Sequence, residues 1–212
     1  MHVVSPAANG WLTKDDRSAM TAWVVSSDGW LEGARIVPSP NVDARPHDES
    51  PSLVVIHNIS LPPSCFGTGD IEALFTNTLD FDAHPFFQTI RGLRVSSHFL
   101  ITREAEVVQF ASTLARAWHA GQSHFAGRER CNDFAIGIEL EGCDDAPFEA
   151  AQYTVLTRLS DALTKRHAIE AFVGHSDIAP GRKTDPGPYF DWSAFARAAS
   201  LPPDRLPFVS GL

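Results

Sequence analysis

The stretch FAIGIEL, Phe134 to Leu140, constrains the fold more than any other part of the chain. Strand side chains alternate between faces, so Ile136, Ile138 and Leu140 share one face and Ala135, Gly137 and Glu139 the other. The first face requires a hydrophobic core. The second leads small residues up to a carboxylate, the pattern of a strand that lines a cleft. A carboxylate on such a strand is costly to bury unless it is paired or near a metal. A salt-bridge partner or an edge solubiliser is the plainer account of Glu139, and the residues alone leave both open.

Ser52 to His57, SLVVIH, reads as a second buried strand, with Val55 and His57 on one face. His57 is expected where that strand gives way to the loop NISLPPSCFGTG, a common setting for functional side chains. Ile71, Leu74, Phe75 and Leu79 fall on one helical stripe, predicting a short helix within Asp70 to Leu79. VSSHFLI and TREAEVVQF read as two strands about a tight turn near Arg103 to Ala105, and His98 in the first is expected to be a structural, hydrogen-bonded histidine. AWHAGQSHFAGRERCND reads as an irregular wall beside a polar ligand or as a solvated loop. A long helix after Pro147 buries Tyr153, Leu156, Leu159 and Leu163, with Val155 and Ala162 widening the stripe. Ala171 to Val173 is a short strand delivering His175, and Asp191 caps a last helix through Trp192, Phe195 and Ala199.

The segment HSDIAPGRKTDPGP, His175 to Pro188, carries the chemistry. His57, His175 and Asp185 make a set of two imidazole nitrogens and one carboxylate oxygen. That set suits Zn²⁺ with a fourth position left open, as catalytic sites have. Lys183 supplies a cation two residues before Asp185, and Asp185 itself precedes Pro186, which biases its backbone away from the helical region.

A length of 212 residues fits one domain with a sizeable core. The net charge of −9 disfavours a nucleic-acid backbone as partner. No apolar run approaches the roughly 18 residues of a spanning helix, and no signal-peptide pattern opens the chain, so a soluble, unexported protein without a membrane partner is expected. Cys65, Cys131 and Cys143 have no CxxC spacing and read as reduced thiols. Glu141, Asp144, Asp145 and Glu149, within a stretch free of basic residues, read as solvated surface.

The strings VIHNISLPP, LRVSSHFLI, AWHAG, GRERCNDFAIGIELEG, GHSDIAP and GRKTDPGP resemble the cytoplasmic anhydromuramyl-peptide amidases of peptidoglycan recycling. These belong to a wider zinc amidase group with phage amidase-type lysozymes and peptidoglycan recognition proteins. The resemblance runs from about Asp28 to Phe195. It implies an α/β fold with a mixed central β-sheet flanked by helices, and a division into an N-terminal extension (1–27), an amidase domain (28–200) and a C-terminal tail (201–212). It also implies Zn²⁺ held by His57, His175 and Asp185, a catalytic pair Glu139 and Lys183, and Asn58, Arg94 and Arg182 bordering the peptide. The implied substrate is an anhydromuramyl peptide, cut between the lactyl group and L-alanine in the cytoplasm, with no obligate protein partner.

Three other readings compete. A cysteine hydrolase would use Cys65 or Cys131, yet neither has a local partner that identifies a thiolate. A recognition module would bind wall fragments without cutting them, but both catalytic candidates are present here. A structural zinc site would need a fourth protein ligand, such as His98 or a cysteine.

Overall fold

A computed structural model describes residues 22–46 and 49–206. The expected N-terminal extension lies largely outside the described residues, as does the end of the C-terminal tail. In chain order the elements are β1 (Arg35–Ile36), β2 (Val42–Ala44), β3 (Leu53–Ile59), α1 (Asp70–Phe75), α2 (Pro85–Thr89), β4 (Phe99–Ile101) and β5 (Val107–Gln109). They continue with β6 (Ala115–Ala117), β7 (His124–Phe125), β8 (Arg128–Glu129), β9 (Ala135–Glu141), α3 (Ala150–Arg166), β10 (Ala171–Gly174), α4 (His175–Ile178) and α5 (Trp192–Ala199).

Six strands form a mixed sheet in the order β1-β5-β4-β9-β3-β10. β4, β9, β3 and β10 run parallel, β5 is antiparallel to β4, and β1 is parallel to β5. The central strands β3 and β9 are the apolar runs read from the sequence. One face of the sheet buries Val54, Ile56, Ile136, Ile138, Leu140 and Phe172 against Leu156, Leu159 and Leu163 of α3 and Phe195 of α5. Each of those leucines contributes about 1.5–3 kcal/mol by its burial. The helix α3 begins with a capping box in which Glu149 and Gln152 satisfy each other's backbone amides. The helix α5 is capped by Asp191, whose Oδ1 accepts from the Ala194 amide at 2.8 Å.

The opposite face carries two separate apolar clusters, and their separation creates the site. Leu53, Val55, Ala135 and Val173 belong to one, with Cys131, Phe134 and Ile178. Leu100 and Val108 belong to the other, with Leu61, Leu74, Phe75 and Phe110, and Ile59 packs against it. Along β3 this face reads Leu53, Val55, His57, Ile59, so His57 lies at the seam between the clusters.

Three sequence expectations are corrected. His57 is not the end of its strand: β3 continues to Ile59 because Asn58 and Ile59 pair with Leu140 and Glu141. The helix α1 stops at Phe75, and Leu79 reaches the same core through a turn in which its amide donates to the Ala73 carbonyl at 3.0 Å. Glu141 is not solvated surface. It is 4% exposed and accepts from the amides of Gly67 (2.6 Å) and Arg103 (3.1 Å), tying β9 to two neighbouring loops. Among its acidic neighbours, Asp145 and Glu149 are exposed as expected, Glu149 also serving the cap, and Asp144 Oδ1 accepts from the Asn58 amide nitrogen at 2.7 Å.

Candidate metal centre and active site

Three adjacent elements deliver the ligand set. His57 sits on β3, and His175 follows directly on β10, which pairs with β3 in parallel through Gly174 opposite Ile56. Asp185 is brought back by the loop after α4, where the Ser176 amide donates to the Asp185 carbonyl at 2.9 Å. The Nδ1 atoms of His57 and His175 lie 3.0 Å apart, and Asp185 Oδ2 is 2.9 Å from the first and 3.0 Å from the second.

Tetrahedral zinc with bonds of about 2.0–2.1 Å separates its ligands by about 3.3 Å, so this triangle needs a few tenths of an ångström of opening. Three electron-pair donors converging this closely repel one another unless a proton or cation lies between them. The far sides of both imidazoles are occupied: His175 Nε2 meets the Ala120 carbonyl at 3.0 Å, and His57 Nε2 meets His119 Nδ1 at 3.0 Å. With a proton on each Nε2, both Nδ1 lone pairs point at one spot, as metal ligation requires. The residues therefore fit Zn²⁺. Among the described residues they are the His/Cys/Asp/Glu group whose ligand atoms converge, within 4.8 Å of one another.

Burial pushes the His57 imidazole down to about 4, despite the opposing hydrogen bond that Asp185 accepts from it. Asp185 is held far below the ordinary carboxylate range by its contacts with His175 and His57, which outweigh its burial. A neutral imidazole beside an ionised carboxylate is the protonation state a divalent cation needs.

Glu139 stands beside this triangle. It is 8% exposed, and its Oε2 has no hydrogen-bond partner among the described residues. Burial, reinforced by the charge of Asp185, raises its carboxyl well above the usual range, while Lys183 pulls it back. A carboxyl shifted in that direction holds a proton more readily than an ordinary one, which suits a group that takes a proton and passes it on. The same cleft, about 500 Å³, is lined by His57, Glu139, His175, Lys183 and Asp185, and on its far side by Leu61, Leu74, Phe75, Phe86, Ile90 and Trp118.

The remaining sequence candidates separate by what they touch. Arg94 is exposed on the cleft wall. Arg182 lines it too, and its guanidinium also donates to the carbonyls of Ala120 (2.9 Å) and Gln122. Asn58 donates to Asp144 and to the Pro186 carbonyl (3.0 Å), so its amide nitrogen holds the loop that carries Asp185. His98 is structural, as expected: its Nδ1 accepts from the Gly137 amide at 3.0 Å and its Nε2 meets the Ala115 carbonyl at 3.1 Å. The three cysteines are free thiols.

His119 is the residue that sequence reasoning passed over. The segment AWHAGQSHFAGRERCND reads as an irregular wall beside a polar ligand or as a solvated loop, and nothing in the string AWHAG singles out one histidine. The usable signal lay elsewhere, in Gly137 on the cleft face of β9. A Cβ there would lie 2.5 Å from His119 Cγ, so the glycine makes room for this ring.

The site coincides with what known proteins share. The sequence profile of the N-acetylmuramoyl-L-alanine amidase family matches residues 47–188, which contain all three ligand candidates with Glu139 and Lys183. The 1,6-anhydro-N-acetylmuramyl-L-alanine amidase AmpD of Escherichia coli K12 is 58% identical over 169 residues, 79% of this chain and 92% of that protein. AmpD of Haemophilus influenzae is 48% identical over 170 residues, covering 79% and 92%. A crystal structure of a selenomethionine AmpD derivative superposes with a TM-score of 0.80 at 55% identity, covering 84% of this chain and 99% of that one. The E. coli amidase AmiD, solved with anhydro-N-acetylmuramic acid-L-Ala-D-γ-Glu-L-Lys, gives a TM-score of 0.52 at 30% identity, covering 84% and 65%. With a matched profile spanning the sheet from before β3 to the loop after α4, this chain belongs to the N-acetylmuramoyl-L-alanine amidase family.

Proposed function

We propose that this N-acetylmuramoyl-L-alanine amidase is a zinc-dependent enzyme that hydrolyses the lactyl–L-alanine amide of 1,6-anhydro-N-acetylmuramyl peptides during cytoplasmic recycling of peptidoglycan. The observation that carries the reading is the triangle of His57, His175 and Asp185 with a buried, unpartnered carboxylate beside it. The substrate follows from the AmpD relatives and from the anhydromuramyl peptide bound in AmiD. Three free thiols agree with a reducing compartment.

His57, His175 and Asp185 would hold Zn²⁺, which lowers the pKa of bound water to about 7 and polarises a carbonyl. Glu139 takes the proton of the attacking water while the water oxygen bonds to the lactyl carbonyl carbon. Lys183 offsets the negative charge that develops on the carbonyl oxygen. Glu139 then delivers its proton to the L-alanine nitrogen as the C–N bond breaks, and the remaining hydroxyl proton of the adduct passes to the amine, so a lactyl carboxylate and a peptide ammonium leave. Arg94 and Arg182, on the cleft wall, suit carboxylates of the stem peptide. The apolar side of the cleft suits the anhydro-sugar ring.

A recognition module that binds without cutting would not need Glu139 kept buried and unpaired. The deciding experiment is turnover of a purified anhydromuramyl tripeptide before chelation, after it, and after zinc is returned. Activity that survives complete chelation would overturn zinc dependence. The same assay with the non-anhydro tripeptide and with purified sacculi tests the substrate: kcat/KM should be highest for the anhydro form, and equal or faster cleavage of sacculi would remove the recycling role.

A further inference from the structure

We infer that His119 is a positioning residue for the metal centre, the partner that sets the tautomer and ring orientation of His57. The inference rests on the zinc reading above. His57 can offer its Nδ1 lone pair to a cation only while its proton resides on Nε2. That Nε2 faces His119 Nδ1 at 3.0 Å, and the two rings meet edge to face with centroids 5.1 Å apart. In the ligating state His57 Nε2–H therefore donates to His119 Nδ1, which places the proton of His119 on its own Nε2.

The His119 ring is held in place through its backbone and by the residue beneath it. Its backbone amide and that of Ala120 both donate to Asn132 Oδ1, at 3.2 and 2.8 Å. Gly137 lies under the ring, where any larger residue would displace it. Its Nε2 is buried and has no acceptor among the described residues. The adjoining residue completes the device, because the Ala120 carbonyl accepts from His175 Nε2. Two consecutive residues thus orient both histidines of the triangle, and the single Asn132 side chain fixes both.

A carbonyl can only accept, whereas an imidazole can accept or donate. When His57 Nδ1–H donates to Asp185, His57 Nε2 becomes an acceptor, and His119 can answer with its own Nδ1–H. His119 therefore supports His57 in both proton arrangements, which Ala120 cannot do for His175.

The test measures zinc dissociation constants by chelator competition for the wild type, His119→Phe and His119→Asn, together with the Tm of each zinc-free protein. Phe keeps the ring over Gly137 and removes the acceptor. Asn keeps an oxygen close to the place of Nδ1. Loss of such a partner weakens zinc binding about 10- to 100-fold. His119→Phe should show that loss, His119→Asn should recover most of it, and the zinc-free Tm values should not follow the same order. Equal zinc affinity in wild type and His119→Phe would overturn the inference while leaving the metal centre intact. Equal weakening in both variants with a matching fall in zinc-free Tm would also overturn it, by assigning His119 a structural role alone. A wild type that takes up no zinc would instead remove the metal centre itself, and this inference with it.

Discussion

His57 and Glu139 stand in register on adjacent parallel strands, His57 of β3 opposite Glu139 of β9. Neighbouring strands lie about 4.8 Å apart, and residues in register project to the same side of the sheet. A ligand and a proton carrier are thus set one strand apart by two central strands of the sheet. The geometry does not depend on a loop closing over the site.

Replacing Asp185 or His175 by Ala should lower metal content from about one zinc per chain to near none. Either change removes one corner of the triangle and leaves the remaining donors too few to hold the ion. Elemental analysis of protein never exposed to chelator checks this, and full zinc occupancy in either variant would move the centre elsewhere.

Glu139→Gln and Lys183→Ala should keep zinc but lose turnover. General acid–base assistance is worth about 10²–10⁴-fold, and an oxyanion partner about 10²–10³-fold. Both losses should appear in kcat with KM little changed, because the interactions form as the reaction proceeds. A variant with normal kcat would strip that residue of its role.

Gly137→Ala should weaken the fold and the metal site together. The added Cβ meets the imidazole of His119 at 2.5 to 2.8 Å, too close to be accommodated without movement. Overpacking of this kind costs about 1–3 kcal/mol. Urea unfolding of the zinc-free protein measures the first effect and chelator competition the second; unchanged values in both would contradict the packing described here.

Glu141→Ala should cost about 1.5–3 kcal/mol, because it removes a buried carboxylate that accepts from the part-buried amides of Gly67 and Arg103. Equilibrium unfolding would show it as a lower urea midpoint at unchanged slope. A loss within error of zero would mean that those loops find other partners.

Acid should destabilise the zinc-free protein through His98. Burial, aided by the charges of Arg45 and His167, pushes its imidazole down to about 3 from an ordinary 6.5. The unfolded chain then binds a proton that the folded chain refuses. This contribution is complete above about 6.5 and is lost as pH falls from there towards 3, at up to about 1.4 kcal/mol per pH unit. In His98→Asn, whose Oδ1 can still accept from the Gly137 amide, the fall in unfolding free energy between pH 7.5 and 5.5 should be smaller. Identical pH slopes in the two proteins would rule out His98 as the source.

Much of the site was legible because its chemistry is written in local strings. The alternation FAIGIEL separates core from cleft face without knowledge of the partner strands, since the period of two is a property of the strand itself. HSDIAPGRKTDPGP keeps His175, Lys183 and Asp185 within one short stretch of sequence, and the long amphipathic α3 follows from its apolar spacing. The sequence by itself therefore determined the strand faces, the helix stripes and the kinds of donor atom available.

Only the tertiary structure decided which of those atoms meet. His57 and Asp185 are 128 residues apart, and their 2.9 Å contact exists because β10 pairs with β3 and turns the following loop back onto it. Glu141 and His119 were misread or passed over for the same reason. Nothing local distinguishes a carboxylate that accepts two distant amides from a solvated one, or a histidine resting on a glycine from one in open loop. Those distinctions are made by partners remote in sequence, and pattern along one chain carries no record of them until the sheet brings them together.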